Sequence, residues 1–136
     1  GTRGVGLDLR PPAGPLPTTA PREVVETCLS VLADNAFRYS PPGSRVALSA
    51  GPREGGGVRV LVEDGGPGVG TEEAGRVFDR FFRGSAGRAA EGRGFGLGLA
   101  LARRLARSAG GEVLLLNPGE AGARFALDLP APAPAG

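Results

Sequence analysis

Asp34-Asn35-Ala36-Phe37-Arg38-Tyr39-Ser40-Pro41 closes a helical pattern, and the reading of this stretch decides that of the whole chain. Val25, Cys28, Leu29, Leu32 and Ala36 recur at helical spacing and make one apolar face. Asn35 falls on the border of that face, where a buried oxygen ligand would sit, and Arg38 follows about one turn later. The plainer alternative is a helix end at which the Asn35 amide only satisfies a neighbouring backbone group. Pro21 suits the first turn of this helix, and Pro41-Pro42-Gly43 ends it near Tyr39.

Upstream, Val5-Gly6-Leu7-Asp8-Leu9 alternates like a strand, and Pro11-Pro12-Ala13-Gly14-Pro15 stops regular structure. Downstream, Arg45 to Ala50 and Val58 to Glu63 read as a hairpin joined through the glycine-rich turn Gly51 to Gly57. The second strand runs into Glu63-Asp64-Gly65-Gly66-Pro67-Gly68-Val69-Gly70. A short helix follows, with Thr71 as its cap ahead of Glu72 and Glu73, and Phe78, Phe81 and Phe82 close it. A second long helix begins inside Gly94-Phe95-Gly96-Leu97-Gly98-Leu99, sets Leu97, Leu101, Leu105 and Ser108 on one side, and stops at Gly110-Gly111. Val113 to Leu116 and Arg124 to Leu129 complete the strands. The order predicts an α+β fold, a two-layer sandwich in which helices cover one face of a mixed, mostly antiparallel sheet. The expected domain is residues 1–129, with 130–136 a disordered Pro/Ala tail.

Composition removes whole classes of chemistry. The 136 residues contain no histidine, so no Ser-His-Asp triad and no His-containing zinc site, and one cysteine gives neither disulfide nor cysteine cage. All sixteen basic residues are arginine, so a lysine-bearing phosphate loop is excluded. Net charge is only +2, and the arginine-rich second half has few interleaved aromatics, which argues against nucleic acid as a partner. Without an apolar run near membrane length or a signal-peptide pattern, the expectation is a soluble domain.

With 25 glycines in the chain, a D-x-G-x-G or G-x-G-x-G pattern alone is weak, and its plain meaning is a turn or a flexible loop. Order carries the weight. Taken together, Asp34 to Pro41, Asp64-Gly65-Gly66-Pro67-Gly68-Val69, Val77-Phe78-Asp79-Arg80-Phe81-Phe82-Arg83 and Gly94 to Leu99 resemble the asparagine box, first glycine box, phenylalanine box and second glycine box of the ATP-binding catalytic domain of sensor histidine kinases. That domain belongs to the superfamily of gyrase, Hsp90 and MutL. The resemblance covers about residues 21 to 129.

It implies ATP and Mg²⁺ as cofactors. Asp64 would accept the exocyclic N–H of adenine, where guanine presents an oxygen, and Gly66 and Gly68 would leave room for the base. Asn35 would be the metal ligand, through its amide oxygen. Gly94, Gly96 and Gly98, with Leu97 and Leu99, would present backbone N–H groups to phosphate. Arg38, Tyr39 and Arg83 complete the expected nucleotide contacts. Residues 83 to 93, small and arginine-bearing, are expected to be a nucleotide lid.

Two positions depart from the family's pattern. Val31 stands where many of its kinases carry a second polar residue on the metal side, and Gly65 where asparagine is frequent. The family's hydrolases hold a water-activating glutamate at the position of Val31, and valine has no proton to move. Glu26 is nine residues from Asn35, on the opposite helix face. A transferase is therefore the expected class, handing the γ-phosphoryl group to a histidine outside this chain, with no catalytic residue within it. The resemblance implies the domain's own dimerisation helices and a response regulator as partners, and a cytoplasmic, monomeric domain with no membrane contact of its own, within a full-length protein that can be membrane-anchored. An anti-sigma-type serine kinase and a nucleotide sensor without transfer activity are the alternatives.

Overall fold

A computed structural model describes residues 4–10, 12, 14, 16–79 and 98–132. Five strands, β1 (Gly6–Arg10), β2 (Arg45–Pro52), β3 (Val58–Glu63), β4 (Glu112–Leu115) and β5 (Arg124–Leu129), form one sheet in the order β1-β2-β3-β5-β4. β1 runs parallel to β2, and the other pairings are antiparallel. Two long helices, α1 (Arg22–Tyr39) and α3 (Gly98–Ser108), pack on one face, and among the described residues a short turn of helix, α2 (Thr71–Ala74), lies between them in sequence. This is the expected two-layer α+β sandwich.

Alternation along β3 explains the layering. Val58, Val60 and Val62 are buried, whereas Arg59, Leu61 and Glu63 face the other way and are half-exposed. The first set meets Cys28, Leu32 and Ala36 of α1 in one core with Leu127, Leu129 and Phe125 of β5. α1 stops where it must, because Ser40 precedes Pro41 and is extended (φ −86, ψ 128) rather than helical. α3 ends in a Schellman arrangement. Gly110 takes φ +86 and donates to Arg107 O at 3.1 Å, and Gly111 N donates to Ala106 O at 2.8 Å.

Three sequence expectations are corrected. The buried face of α3 carries Ala102 and Ala106, not the leucine stripe: Leu101 is 45% exposed and Leu105 only partly buried. Alanines let α3 approach α1 closely enough for the Cys28 thiol to donate to Ala102 O at 3.3 Å. Thr71 is not the cap of α2; Gly70 is, its carbonyl accepting from Glu73 N and Ala74 N, and the Thr71 methyl instead packs on Gly119. Pro130 still belongs to the fold, since its carbonyl accepts from Thr18 Oγ1 at 2.7 Å; residues 133–136 lie outside the described set.

The uncovered face of the sheet holds one buried charge. Asp128, 3% exposed, accepts two hydrogen bonds from Arg59, its direct neighbour across β3 and β5, at 2.7 and 2.8 Å, with Arg53 at 3.5 Å. Removing one partner of a buried pair leaves the other uncompensated, a loss discounted here because the Arg59 side chain is 37% exposed. Asp128→Ala should cost about 2–3 kcal/mol in urea unfolding. Glu26→Ala, which breaks the solvated Arg22–Glu26 pair, should leave the midpoint nearly unchanged.

Candidate functional site

At the end of β3 the chain turns away from the sheet, and Asp64 is the residue at that corner. Its backbone N–H still donates to Ala123 O at 3.0 Å, as if β3 went on beside β5. Its side chain bends back into the turn, where Oδ1 accepts from Gly66 N at 2.9 Å and Ala123 N at 3.0 Å. Oδ2 accepts no hydrogen bond among the described residues. Burial pushes the Asp64 carboxyl above its ordinary range, and the two backbone donors only partly offset that. The result is a half-buried carboxylate with one oxygen committed to the protein and one available to a donor.

The glycines around it have steric reasons. A Cβ on Gly66 would strike the carbonyl oxygen of Tyr39, and one on Gly68, at φ +83, would strike that of Glu120. At both positions the missing side chain lets the loop lie against α1 on one side and the β4–β5 loop on the other. Gly65 is also held on both sides. Its absent Cβ would lie 2.7 Å from Ser44 Cβ, and its N–H donates to Ser40 Oγ at 3.2 Å.

α1 relates this corner to the second glycine element. Tyr39 and Ser40, at the end of the helix, touch Gly66 and Gly65. Val31, two turns earlier, lies 3.4 Å from the position a Cβ on Gly98 would take. Asn35 is midway, four residues or about 6 Å along the axis from each. It is only 7% exposed, and among the described residues nothing hydrogen-bonds its amide. The amide therefore does not fasten a neighbouring backbone group among the described residues. Val31 is accounted for as a packing residue between α1 and α3.

Of the other expected contacts, Arg38 has its guanidinium 3.7 Å from Asp34 on the same helix, and Leu99 is packed against the core. Phe78 stands edge-on to Phe125, centroids 6.1 Å apart, with the Arg103 guanidinium 4.4 Å above its ring. Arg83, Gly94, Gly96 and Leu97, and the expected lid, lie outside the described residues. Among the described residues no three metal-ligating side chains cluster, so any cation here would have to bring most of its ligands with it. The residue at this corner that sequence reasoning passed over is Asn117, 6% exposed and hydrogen-bonded to Gly122 O and Arg124 N; its one signal was a turn reading as Asn-Pro-Gly.

Gly68 and Gly70 give a matched pair of tests. Gly68→Ala combines a left-handed backbone with a clash on Glu120 O and should lose at least about 2 kcal/mol of stability. Gly70→Ala, at φ −63 with nothing near its Cβ, should melt at or slightly above the parent temperature. Asp64→Asn should remove a loss of stability that the parent suffers as pH rises through the acid limb, so that the variant's curve climbs more steeply there. A carboxyl with a raised folded pKa contributes stability below its unfolded value that is lost as pH rises through the folded one, and the amide cannot titrate.

Residues 21–133 match the family described as histidine kinase-, DNA gyrase B-, and HSP90-like ATPase. The sensor-like histidine kinase SenX3 of Mycobacterium tuberculosis is 40% identical over 105 residues, which is 77% of this chain and 25% of that protein. The sensor histidine kinase GtrS of Pseudomonas aeruginosa is 40% identical over 106 residues, 78% of this chain and 21% of that protein. This chain therefore spans about a quarter of the length of such relatives or less. Among solved structures, the mycobacterial sensor histidine kinase MprB superposes with a TM-score of 0.80 at 27% identity, covering 96% of this chain and 86% of that one. Full-length ShkA in complex with AMPPNP gives 0.78 at 30%, covering 98% and 27%. With the carboxylate, the buried amide and the glycine turns in the order this fold brings together, the chain belongs to the histidine kinase-, DNA gyrase B- and HSP90-like ATPase family, as an ATP-binding domain of the sensor histidine kinase kind.

Proposed function

We propose that this domain binds MgATP and presents its γ-phosphoryl group to a histidine on a dimerisation helix outside this chain. The observation that carries the reading is Asp64: a half-buried carboxylate with Oδ1 tied to two backbone N–H groups and Oδ2 left to receive a donor. An adenine amino group is such a donor, and a guanine oxygen would be repelled. Asn35 offers an amide oxygen to the cation from a helix that touches both glycine elements. Mg²⁺ fits that setting because it takes its other oxygens from phosphates and water, and it would neutralise phosphate charge there. Arg38 adds a guanidinium within reach of the same helix face. Gly94, Gly96, Leu97, Gly98 and Leu99 would supply backbone N–H groups to phosphate, and Arg83 a second guanidinium.

Val31 supports transfer over hydrolysis. It packs against Gly98, and no carboxylate stands at its position to activate water. In the transfer the γ-phosphorus–oxygen bond of ATP breaks, a phosphorus–nitrogen bond to imidazole forms, and ADP leaves. The imidazole proton goes to a base beside the acceptor, so this chain's part is positioning and charge. Its partners are then the dimerisation helices and a response regulator, in the cytoplasm. Among the described residues no helix is long and apolar enough to cross a membrane.

Calorimetric titration with ATP and GTP, with and without Mg²⁺, tests the reading. ATP should bind and GTP should not. Asp64→Asn should weaken ATP by about 1–3 kcal/mol, whereas unchanged affinity in a folded variant removes Asp64 from the base site. Asn35→Ala should weaken ATP mainly when Mg²⁺ is present; an equal loss in EDTA means the amide holds no metal. The isolated chain should show no autophosphorylation, and acid-labile phosphate should appear once the upstream helices are rejoined.

A further inference from the structure

The β4–β5 loop, residues 116–123, contains a polar clamp built on the Asn117 side chain. The Asn117 side-chain amide donates from Nδ2 to Gly122 O at 2.7 Å and accepts at Oδ1 from Arg124 N at 2.8 Å. These two backbone groups belong to the successive peptide units on either side of Ala123. The opposite ends of the same two units hold Asp64: Ala123 N donates to Asp64 Oδ1 at 3.0 Å, and Ala123 O accepts from Asp64 N at 3.0 Å. One amide and one aspartate therefore grip Ala123 from opposite sides through two shared peptide planes. Each plane is polarised at both ends, which strengthens the bonds in series.

The same loop holds the rest of the corner. Gly122 N donates to Gly66 O at 2.9 Å, and Gly119 N to Val69 O at 2.7 Å. The Asn117 carbonyl accepts from Glu120 N at 3.2 Å, so the loop is closed on itself before it touches the D-x-G-x-G turn. With the Asn117 amide buried and both its polar atoms satisfied, its removal would leave Gly122 O and Arg124 N without their partner.

We propose that Asn117 is a positioning residue for base recognition, fixing through the peptide units around Ala123 the rotamer of Asp64 that aims Oδ2 at the ligand. The inference rests on Asp64 as the partner of the adenine amino group and adds the element that holds it. Asn117 never touches the nucleotide.

The test compares ATP with purine riboside 5′-triphosphate, the same nucleotide without its 6-amino group, binding to the whole chain. In the parent protein ATP should bind more tightly. Asn117→Ala should cut that preference by about tenfold, part of the worth of one charge-assisted hydrogen bond, with the affinity for the amino-free analogue within about twofold. Asn117→Asp keeps the acceptor for Arg124 N and loses the donor to Gly122 O. It should give an intermediate preference and moved amide resonances at Gly66 and Ala123, and it serves alone if the alanine variant does not fold. Equal losses for both nucleotides, or a lower melting temperature with the preference intact, mean a merely structural asparagine and overturn the proposal. Asp64→Asn, measured in parallel, separates the two failures. If it abolishes the preference while the Asn117 variants do not, only the clamp is wrong; if it leaves the preference intact, the adenine reading falls and the clamp with it.

Discussion

A carboxylate at the end of a central strand, too buried for comfort and too useful to lose, is the constraint around which this domain is arranged. β3 is covered on one face by α1 and flanked on both edges by paired strands, so the first residue beyond it emerges into a setting of low polarity. Asp64 stands there with a carboxyl pushed up by burial. Two backbone donors hold one oxygen, one from the turn after β3 and one from the loop before β5, which the antiparallel register of the two strands brings side by side. The glycines follow from this meeting. At Gly66 and Gly68 a side chain would collide with the backbone of α1 or of the β4–β5 loop, and the corner could not close.

α1 converts that corner into a site by acting as a ruler. Its last residues touch the turn at Gly65 and Gly66, its middle carries Asn35, and Val31 reaches the start of α3 at Gly98. Rise per residue fixes the intervals, so one helix sets a carboxylate corner, an open amide and a helix start along a line about 12 Å long. The small residues at the α1–α3 contact serve the same end. Ala102 and Ala106 bring α3 close enough for Cys28 to bond its backbone, and a leucine at either position would push the helix away from the site.

Much of this was legible in the sequence because it is local. Period-two alternation marks β3 and β5, proline and glycine mark the helix ends, and the ordered motifs single out Asn35 and Asp64 as the candidates, which the fold sets on α1 and at the end of β3. What escaped depends on register between distant segments. The face of α3 was misjudged by one residue, because leucine outweighs alanine in any hydrophobic pattern while close helix packing selects alanine. Thr71 looked like a cap because nothing in its own neighbourhood reveals that Gly119 lies against its methyl. Asp128 and Arg59 are 69 residues apart, and only the pairing of β3 with β5 makes them partners. Asn117 read as a turn residue, which it is, but the strand ends that its turn serves lie on the other side of the corner.

Stability and binding pull in opposite directions at Asp64. In the empty protein, its ionised form is desolvated with half its acceptor capacity unused, which favours protonation and subtracts from folding free energy at neutral pH. Replacing it with an apolar residue would not relieve the fold either, since Gly66 N and Ala123 N would then lose their acceptor. The fold tolerates the charge by making its surroundings stiff: each peptide unit that touches Asp64 through Ala123 is held at its far end by the Asn117 amide, and α1 closes the remaining side. A carboxylate whose Oδ1 is held by two backbone donors keeps Oδ2 open, and on the proposed function that fixed orientation is what would make the corner selective for a base with an amino group.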